Sequence, residues 1–327
     1  MYNFKGKRVL VAGGTGLIGT PLVELLLKEG AHVRTVSLDD PARAHPYTEF
    51  FQRDVLAPEN CLEVCKGMNY VFNLLCIKGS PAAVRKYPNR FFKYNFFPGA
   101  HLLDAAYRCG AEGFLLTSTF GVYHPAEVFY EDAVWTTTPS EHDWEAGWAK
   151  RMGELYLDTY RREYGWDNLC IVRPASTYGP YDNFGSESAM VVPSLIHRAV
   201  QGENPFYVWG DGSEIRDFIH AKDVARGMLM VAKSGYSEPV NLGSGIGVSI
   251  KDLVEEVVSN MEDKPKVVWD ISKASGDKKR VLDVARARSL GFEPTVSLVQ
   301  GIKETMLWYK KHRGFEKTRF DVLSSPI

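Results

Sequence analysis

Long apolar runs are absent from this sequence of 327 residues. The stretch Val9-Leu10-Val11-Ala12 is broken at once by glycine, so it is too short for a membrane span or the apolar core of a secretory leader. An excess of either charge is absent too: 39 Lys and Arg face 40 Asp and Glu, the formal net charge is -1, and no long basic run occurs. That balance argues against a nucleic-acid surface. Cysteine is scarce, with Cys61, Cys65, Cys76, Cys109 and Cys170 in no paired ligand spacing. Cys61 and Cys65 stand four apart on an expected helix, but no clustered His or Cys completes a zinc site, and no metal is expected. A reducing, cytoplasmic setting follows from the same pattern. A hydrophobic content of 45% is nevertheless ample for a large core, and the length suits two domains.

What the sequence does have is glycine in one informative place. An apolar strand over Lys7–Ala12 runs into Gly13-Gly14-Thr15-Gly16-Leu17-Ile18-Gly19, and a helix over Leu17–Leu27 follows. Gly13, Gly16 and Gly19 are spaced so that missing Cβ atoms permit a tight turn and close approach of backbone N–H groups to a diphosphate, which the helix dipole favours. The turn therefore predicts a bound dinucleotide, NAD or NADP, held by residues Gly13 and Thr15 to Gly19.

Strand and helix signals then alternate. Strands are expected at His32–Leu38, Glu49–Arg53, Tyr70–Ile77, Gly113–Ser118 and Leu169–Arg173, and helices at Asn60–Lys66, Arg90–Cys109 and Trp144–Tyr164. This order predicts an α/β protein: a Rossmann-type, doubly wound parallel sheet with its ligand crevice at the carboxyl ends of the strands. Near Tyr178 the character changes to a loop over 179–185, a helix at Val192–Gln201, a short strand at Phe206–Trp209 and the turn 210–212. Helices at Ile250–Met261 and Leu298–Lys311 extend a smaller, mixed α/β substrate domain, while Pro239–Leu242 returns to the main sheet. The expected boundaries are 1–177 with 218–245 for the dinucleotide domain, 178–217 with 246–314 for the substrate domain, and a loose tail over 315–327.

Several landmarks together resemble the extended short-chain dehydrogenase/reductases that act as nucleotide-sugar epimerases, dehydratases and reductases. They are Gly13–Gly19, Asp54-Val55, Asn95, Thr117–Tyr123, Lys150, Arg173-Pro174 with Tyr178-Gly179-Pro180, and Arg216–His220 with Asp223. The stretches Gly179–Pro193 and Trp209–His220 look most like the GDP-fucose synthase-like branch. The resemblance implies hydride transfer between a sugar carbon and a nicotinamide, with a Tyr-x-x-x-Lys pair and a Ser or Thr moving the accompanying proton. Thr119 matches the hydroxyl residue and Lys150 the lysine. Val55 and Asp54 would flank the adenine, and Leu74, Leu75 and Cys76 would line the path to the nicotinamide. Asn95, Thr117, Arg173 and Pro174 complete the implied cofactor site. Lys78, Gly79, Ser176, Tyr178, Val192 and Trp209 fall on the substrate side, although Trp209, like Trp308, also suits a core role. Arg216, and secondarily Arg280, would pair with the substrate diphosphate. A homodimer through a four-helix bundle of Arg90–Cys109 and Trp144–Tyr164 is implied as well.

Two features depart from the family's pattern, and a third leaves a choice open. Ala146 stands where the tyrosine should be, four residues before Lys150. A disabling substitution, a different acid/base or a protein that binds without turnover would each account for it. Glu145, Tyr123 and Tyr178 are the replacement candidates, with His142 and Asp143 behind them because they precede the helix. Met190 and Gly121 occupy the positions where the GDP-fucose synthase-like branch has a histidine and a cysteine, so its route to epimerisation at two centres is not expected here. At the end of the second strand, Ser37 with Arg43 permits the 2′-phosphate of NADP, whereas Asp39 suits the 2′-hydroxyl of NAD.

Overall fold

In β1 (Arg8–Ala12), Val9 and Val11 face one apolar layer and Leu10 and Ala12 the other, so the strand is buried on both sides. Such strands belong in a parallel sheet covered by helices. The computed structural model, which describes residues 1–79, 81–186, 188–273 and 277–323, has one at its centre. After β1 come α1 (Gly19–Lys28), β2 (His32–Ser37), β3 (Glu49–Gln52), α2 (Pro58–Cys65), β4 (Tyr70–Asn73), α3 (Pro81–Lys86), α4 (Pro88–Arg108), β5 (Gly113–Thr117), α5 (Trp144–Tyr164) and β6 (Leu169–Pro174). Next are β7 (Ser176–Tyr178), α6 (Val191–Val200), β8 (Phe206–Trp209), β9 (Ile215–His220), α7 (Ala221–Ser234) and β10 (Val240–Leu242). They are followed by β11 (Gly247–Ser249), α8 (Ile250–Ser259), β12 (Val267–Asp270), β13 (Lys279–Arg280), α9 (Ala285–Ser289) and α10 (Leu298–Lys311).

The main sheet runs β10-β6-β5-β4-β1-β2-β3 with every neighbouring pair parallel. Strand order reverses between β1 and β4, which opens a crevice at their carboxyl ends. One face carries α1 and α7, packed through Leu22, Leu26, Val224 and Met228, and the other carries α2, α4 and α5 through Cys65, Leu102, Ala106 and Leu157. Full burial of each leucine contributes roughly 1.5–3 kcal/mol. A second lobe holds the small sheet β11-β9-β13 with β7 paired to β9, and the β8–β12 ladder. Its core joins α6, α8 and α10 through Ile196, Phe206, Leu253 and Met306. Among the described residues no helix is long and apolar enough to cross a membrane.

Three expectations change. The strand expected over Tyr70–Ile77 ends at Asn73, because the Asn73 Oδ1 accepts the Leu75 N–H at 3.2 Å and turns the chain out of the sheet. Helix α7 has no counterpart among the expected elements, though its stops are conventional: His220 Nδ1 accepts the Lys222 N–H at the start and Gly235, at φ 65, closes the end. The tail is not loose over its described length. A 3-10 turn at Phe315–Thr318 seats the Phe315 ring 3.8 Å from the Arg43 guanidinium, and the Asp40 N–H donates to the Thr318 carbonyl at 3.1 Å. Further on, Arg90 donates to the carbonyls of Val322 and Leu323 at 2.8 and 2.7 Å. Residues 324–327 lie outside the described residues.

Candidate functional site

A cavity of about 550 Å³ opens at the strand-order reversal and continues to the N-terminus of α6. Its floor is the glycine turn. Gly13 takes φ 85, which favours glycine, and a Cβ on Gly19 would lie 2.1 Å from the Gly13 carbonyl oxygen, so a side chain there cannot coexist with this turn. No side chain caps α1 and its first turn holds no acid, leaving the positive end of the helix for an anion. A dinucleotide diphosphate fits this cradle. Thr15, Gly16, Leu17 and Ile18 complete it; Asp54 and Val55 line the wall beyond β3, and Leu74, Leu75 and Cys76 the wall beyond β4.

At the end of β2, Thr15 Oγ1 donates to Asp39 Oδ2 at 2.6 Å and lies 2.9 Å from Ser37 Oγ, which in turn accepts the Asp39 N–H at 3.1 Å. Ser37 and Asp39 line the cavity, but Arg43 does not. Its guanidinium lies under the tail, 3.5 Å from Asp39, and donates to the Phe315 carbonyl and the Thr318 hydroxyl. Burial lowers its pKa to about 10, with Asp39 opposing and Arg319 adding to the drop. The expectation that Arg43 faces the cofactor is therefore corrected.

Deeper in, buried Lys150 projects from α5 and donates to the carbonyls of Leu75 at 3.0 Å and Thr117 at 2.9 Å; burial lowers its pKa. Thr119 accepts the Gly121 N–H at 3.1 Å, and the buried hydroxyls of Thr117 and Ser118 have no hydrogen-bond partner among the described residues. Pro174 and Ala146 share this wall, Ala146 lying one helical turn before Lys150. α5 comes this close because residue 147 is glycine: a Cβ there would meet the Gly121 carbonyl at 2.5 Å.

The proposed replacements for tyrosine are redistributed. Tyr123 is buried away from the cavity, donating to Asn241 at 2.7 Å and accepting from Arg173 at 2.9 Å; burial raises its pKa despite the Arg173 charge, which makes it a poor base. Arg173, expected near the cofactor, is fully buried against Glu154 and is also absent from the wall. Glu145 does not line the cavity, and neither does Tyr178, whose ring is buried edge-on to His220. Asp143 does line it. Its carboxylate accepts from Arg280 Nη1 at 2.6 Å, and its Cβ lies 3.3 Å from where a Cβ on Gly121 would be. The sequence signal was its position three residues before Ala146, on the same side of the incoming helix.

On the substrate side, Lys78 Nζ reaches Asp182 Oδ1 at 3.2 Å, tying the β4 loop to the second lobe. Asn95 accepts the Ile77 N–H at 3.2 Å and donates to the Ile77 carbonyl at 3.0 Å, fixing the same loop from α4. Gly79 permits its close approach to Phe91, since a Cβ would stand 3.0 Å from that ring. Ser176, Met190 and Val192 close the far wall, whereas Trp209, Arg216 and Arg280 do not line the cavity. Trp209 is 63% exposed on β8. Arg280 is held by Asp143 and Asp277, which together raise its pKa against the effect of burial. Arg216, in register with Arg280, is half-buried; burial and the neighbouring Arg280 charge lower its pKa to about 10. Sequence reasoning missed the tail residues Lys317 and Arg319 to Leu323, which form one side of the cavity.

A parallel sheet with a glycine turn at its order reversal, and a second lobe forming the far wall, defines a dinucleotide-binding α/β protein. Residues 9–243 match the model of the NAD dependent epimerase/dehydratase family, and the chain belongs to that family. It is 31% identical over 318 residues to a probable GDP-L-fucose synthase 1 of Oryza sativa subsp. japonica, a match covering 93% of this chain and 92% of the relative. Among solved structures, an epimerase of Methanothermobacter thermautotrophicus matches with a TM-score of 0.87 at 26% identity, covering 96% of this chain and 95% of that one. A Thermotoga maritima UDP-glucose 4-epimerase with UDP-glucose matches with a TM-score of 0.80 at 28% identity, covering 93% of this chain and 99% of that one.

Proposed function

We propose that this chain binds NAD or NADP together with a nucleotide-linked hexose, GDP-hexose in first place, and acts on the sugar as an epimerase, dehydratase or reductase. One observation carries this reading: a single cavity is lined by the glycine turn, by Thr119 and Lys150, and by the sugar-side residues Lys78 and Val192. The likeness to a GDP-L-fucose synthase over 93% of the chain supports guanosine diphosphate as the sugar's carrier. When bound, the nicotinamide supplies the hydride acceptor and donor. Lys150 holds the cofactor ribose and places its amine donors beside the reacting oxygen. Thr119 orients that oxygen, and Asp143, the wall carboxylate beside Gly121, is assigned the accompanying proton transfer. Ala146 favours a second reading, in which both ligands bind and turnover is lost.

The test follows the absorbance of the reduced nicotinamide and the sugar products during incubation with GDP-, UDP- and dTDP-hexoses. A GDP-hexose is expected to produce both a transient spectral change and a new sugar. Binding of all three with neither signal overturns the enzymatic reading and leaves the binding one. The proposed homodimer uses the outward faces of α4 and α5, which expose Phe97, Tyr107, Leu155 and Tyr164. Sedimentation equilibrium is expected to give twice the chain mass; the single-chain mass removes this proposal.

A further inference from the structure

The tail after α10 is built into the cofactor half of the cavity. Phe315 and Thr318 are fastened to Arg43, Thr318 also to Asp40, and the Phe320 N–H donates to Asp39 Oδ1 at 2.8 Å. Arg90 of α4 holds the far end by the carbonyls of Val322 and Leu323. The segment thus crosses from the end of β2 to the start of α4, and Lys317, Arg319 and Phe320 enter the cavity wall on the way.

These attachments change the chemistry at the end of β2. An acid that selects NAD accepts hydrogen bonds from the adenosine ribose. Asp39 is already committed on both oxygens: Oδ2 accepts from Thr15 and faces the Arg43 guanidinium, and Oδ1 accepts from Phe320. Its negative charge is matched by Arg43 on the protein side. Ser37, the residue at the strand end, is small and lines the cavity. Into the same wall the tail brings two cations, and Arg319 directly precedes the residue bound to Asp39 and is near enough to Arg43 for its charge to act there.

We propose that Arg319, assisted by Lys317, is a specificity-determining residue that reads the 2′-phosphate of NADP, so that cofactor choice is made by the C-terminal tail instead of by β2 alone. The proposal rests on the dinucleotide reading above and deepens it. A guanidinium presents two parallel donors to a phosphate, whereas the 2′-hydroxyl of NAD offers it no anion.

Its test is the dissociation constants of NADPH and NADH, measured by nicotinamide fluorescence on the full chain and on Arg319→Glu and Arg319→Met. The unaltered chain is expected to prefer NADPH. Arg319→Met is expected to weaken NADPH roughly tenfold, and Arg319→Glu more, with NADH changed by less than about threefold. Equal weakening of both nucleotides, or an unchanged ratio between them, overturns the tail as the selecting element while leaving the dinucleotide site in place. A preference of the unaltered chain for NADH does the same. Failure of the unaltered chain to bind either nucleotide removes the dinucleotide reading itself, and the proposal with it. Near-ultraviolet circular dichroism of both variants separates a change of selection from a change of fold.

Discussion

Replacing Arg173 with leucine is expected to destabilise the fold by about 3–5 kcal/mol, the range for breaking a buried ion pair from one side. The guanidinium is fully buried. It donates to Glu154 through Nε at 2.9 Å and Nη2 at 2.6 Å, and through Nη1 to the Tyr123 hydroxyl at 2.9 Å and the Glu131 carbonyl at 2.8 Å. Burial by itself would lower its pKa, but the Glu154 carboxylate and Tyr123 outweigh that and raise it, so the charge is retained. Leucine would leave the Glu154 carboxylate, 2% exposed, with no counter-charge from this position. Urea unfolding reads the effect as a lower midpoint at an unchanged slope. The double variant Arg173→Leu with Glu154→Leu is expected to recover much of the loss, because the isolated carboxylate leaves with its partner. A single-variant cost below about 1 kcal/mol would sink this account of the pair. Dinucleotide affinity of the folded fraction is expected to stay unchanged, since Arg173 lies outside the cavity wall.

The same residue indicates what could be read from the sequence. Position along a strand was legible: Val9 to Ala12, the glycine turn and the order of β and α segments predict the sheet, because period and burial are local properties. Depth and direction were not. Arg173 and Tyr123 sit close in sequence to cavity residues such as Pro174 and Thr119, yet their side chains point into the junction of α5, β6 and β10, where they satisfy one another. Asp143 precedes the helix, which in sequence sets it behind Glu145, but that position is the mouth of α5, facing the turn that carries Thr119. Arg216, Arg280 and Trp209 belong to the second lobe, whose small sheet joins β7 to β9 and β9 to β13 by pairings with no local signal. The tail is the extreme case. It has no periodicity because its order is imposed by Arg43, Asp39 and Arg90, residues more than two hundred positions away.

Ala146→Tyr is expected to raise turnover of the proper nucleotide sugar by roughly 10²–10⁴-fold, the contribution typical of a positioned general acid or base. Ala146 already faces the cavity one turn before Lys150, so a phenol placed there points along the same wall toward Thr119. The buried Lys150 ammonium would then lower the phenol's pKa and favour the phenolate that accepts a proton. The dissociation constant of the dinucleotide is expected to move little, because the glycine turn and the strand ends that hold it are untouched. A gain in rate at constant affinity therefore assigns the missing step to proton transfer and the binding reading to the chain with alanine at this position. No gain, in a protein that turns over as it stands, places the acid/base elsewhere. Asp143→Asn then decides: loss of that turnover with dinucleotide binding intact identifies the carboxylate beside Gly121 as the group that took over from the phenol.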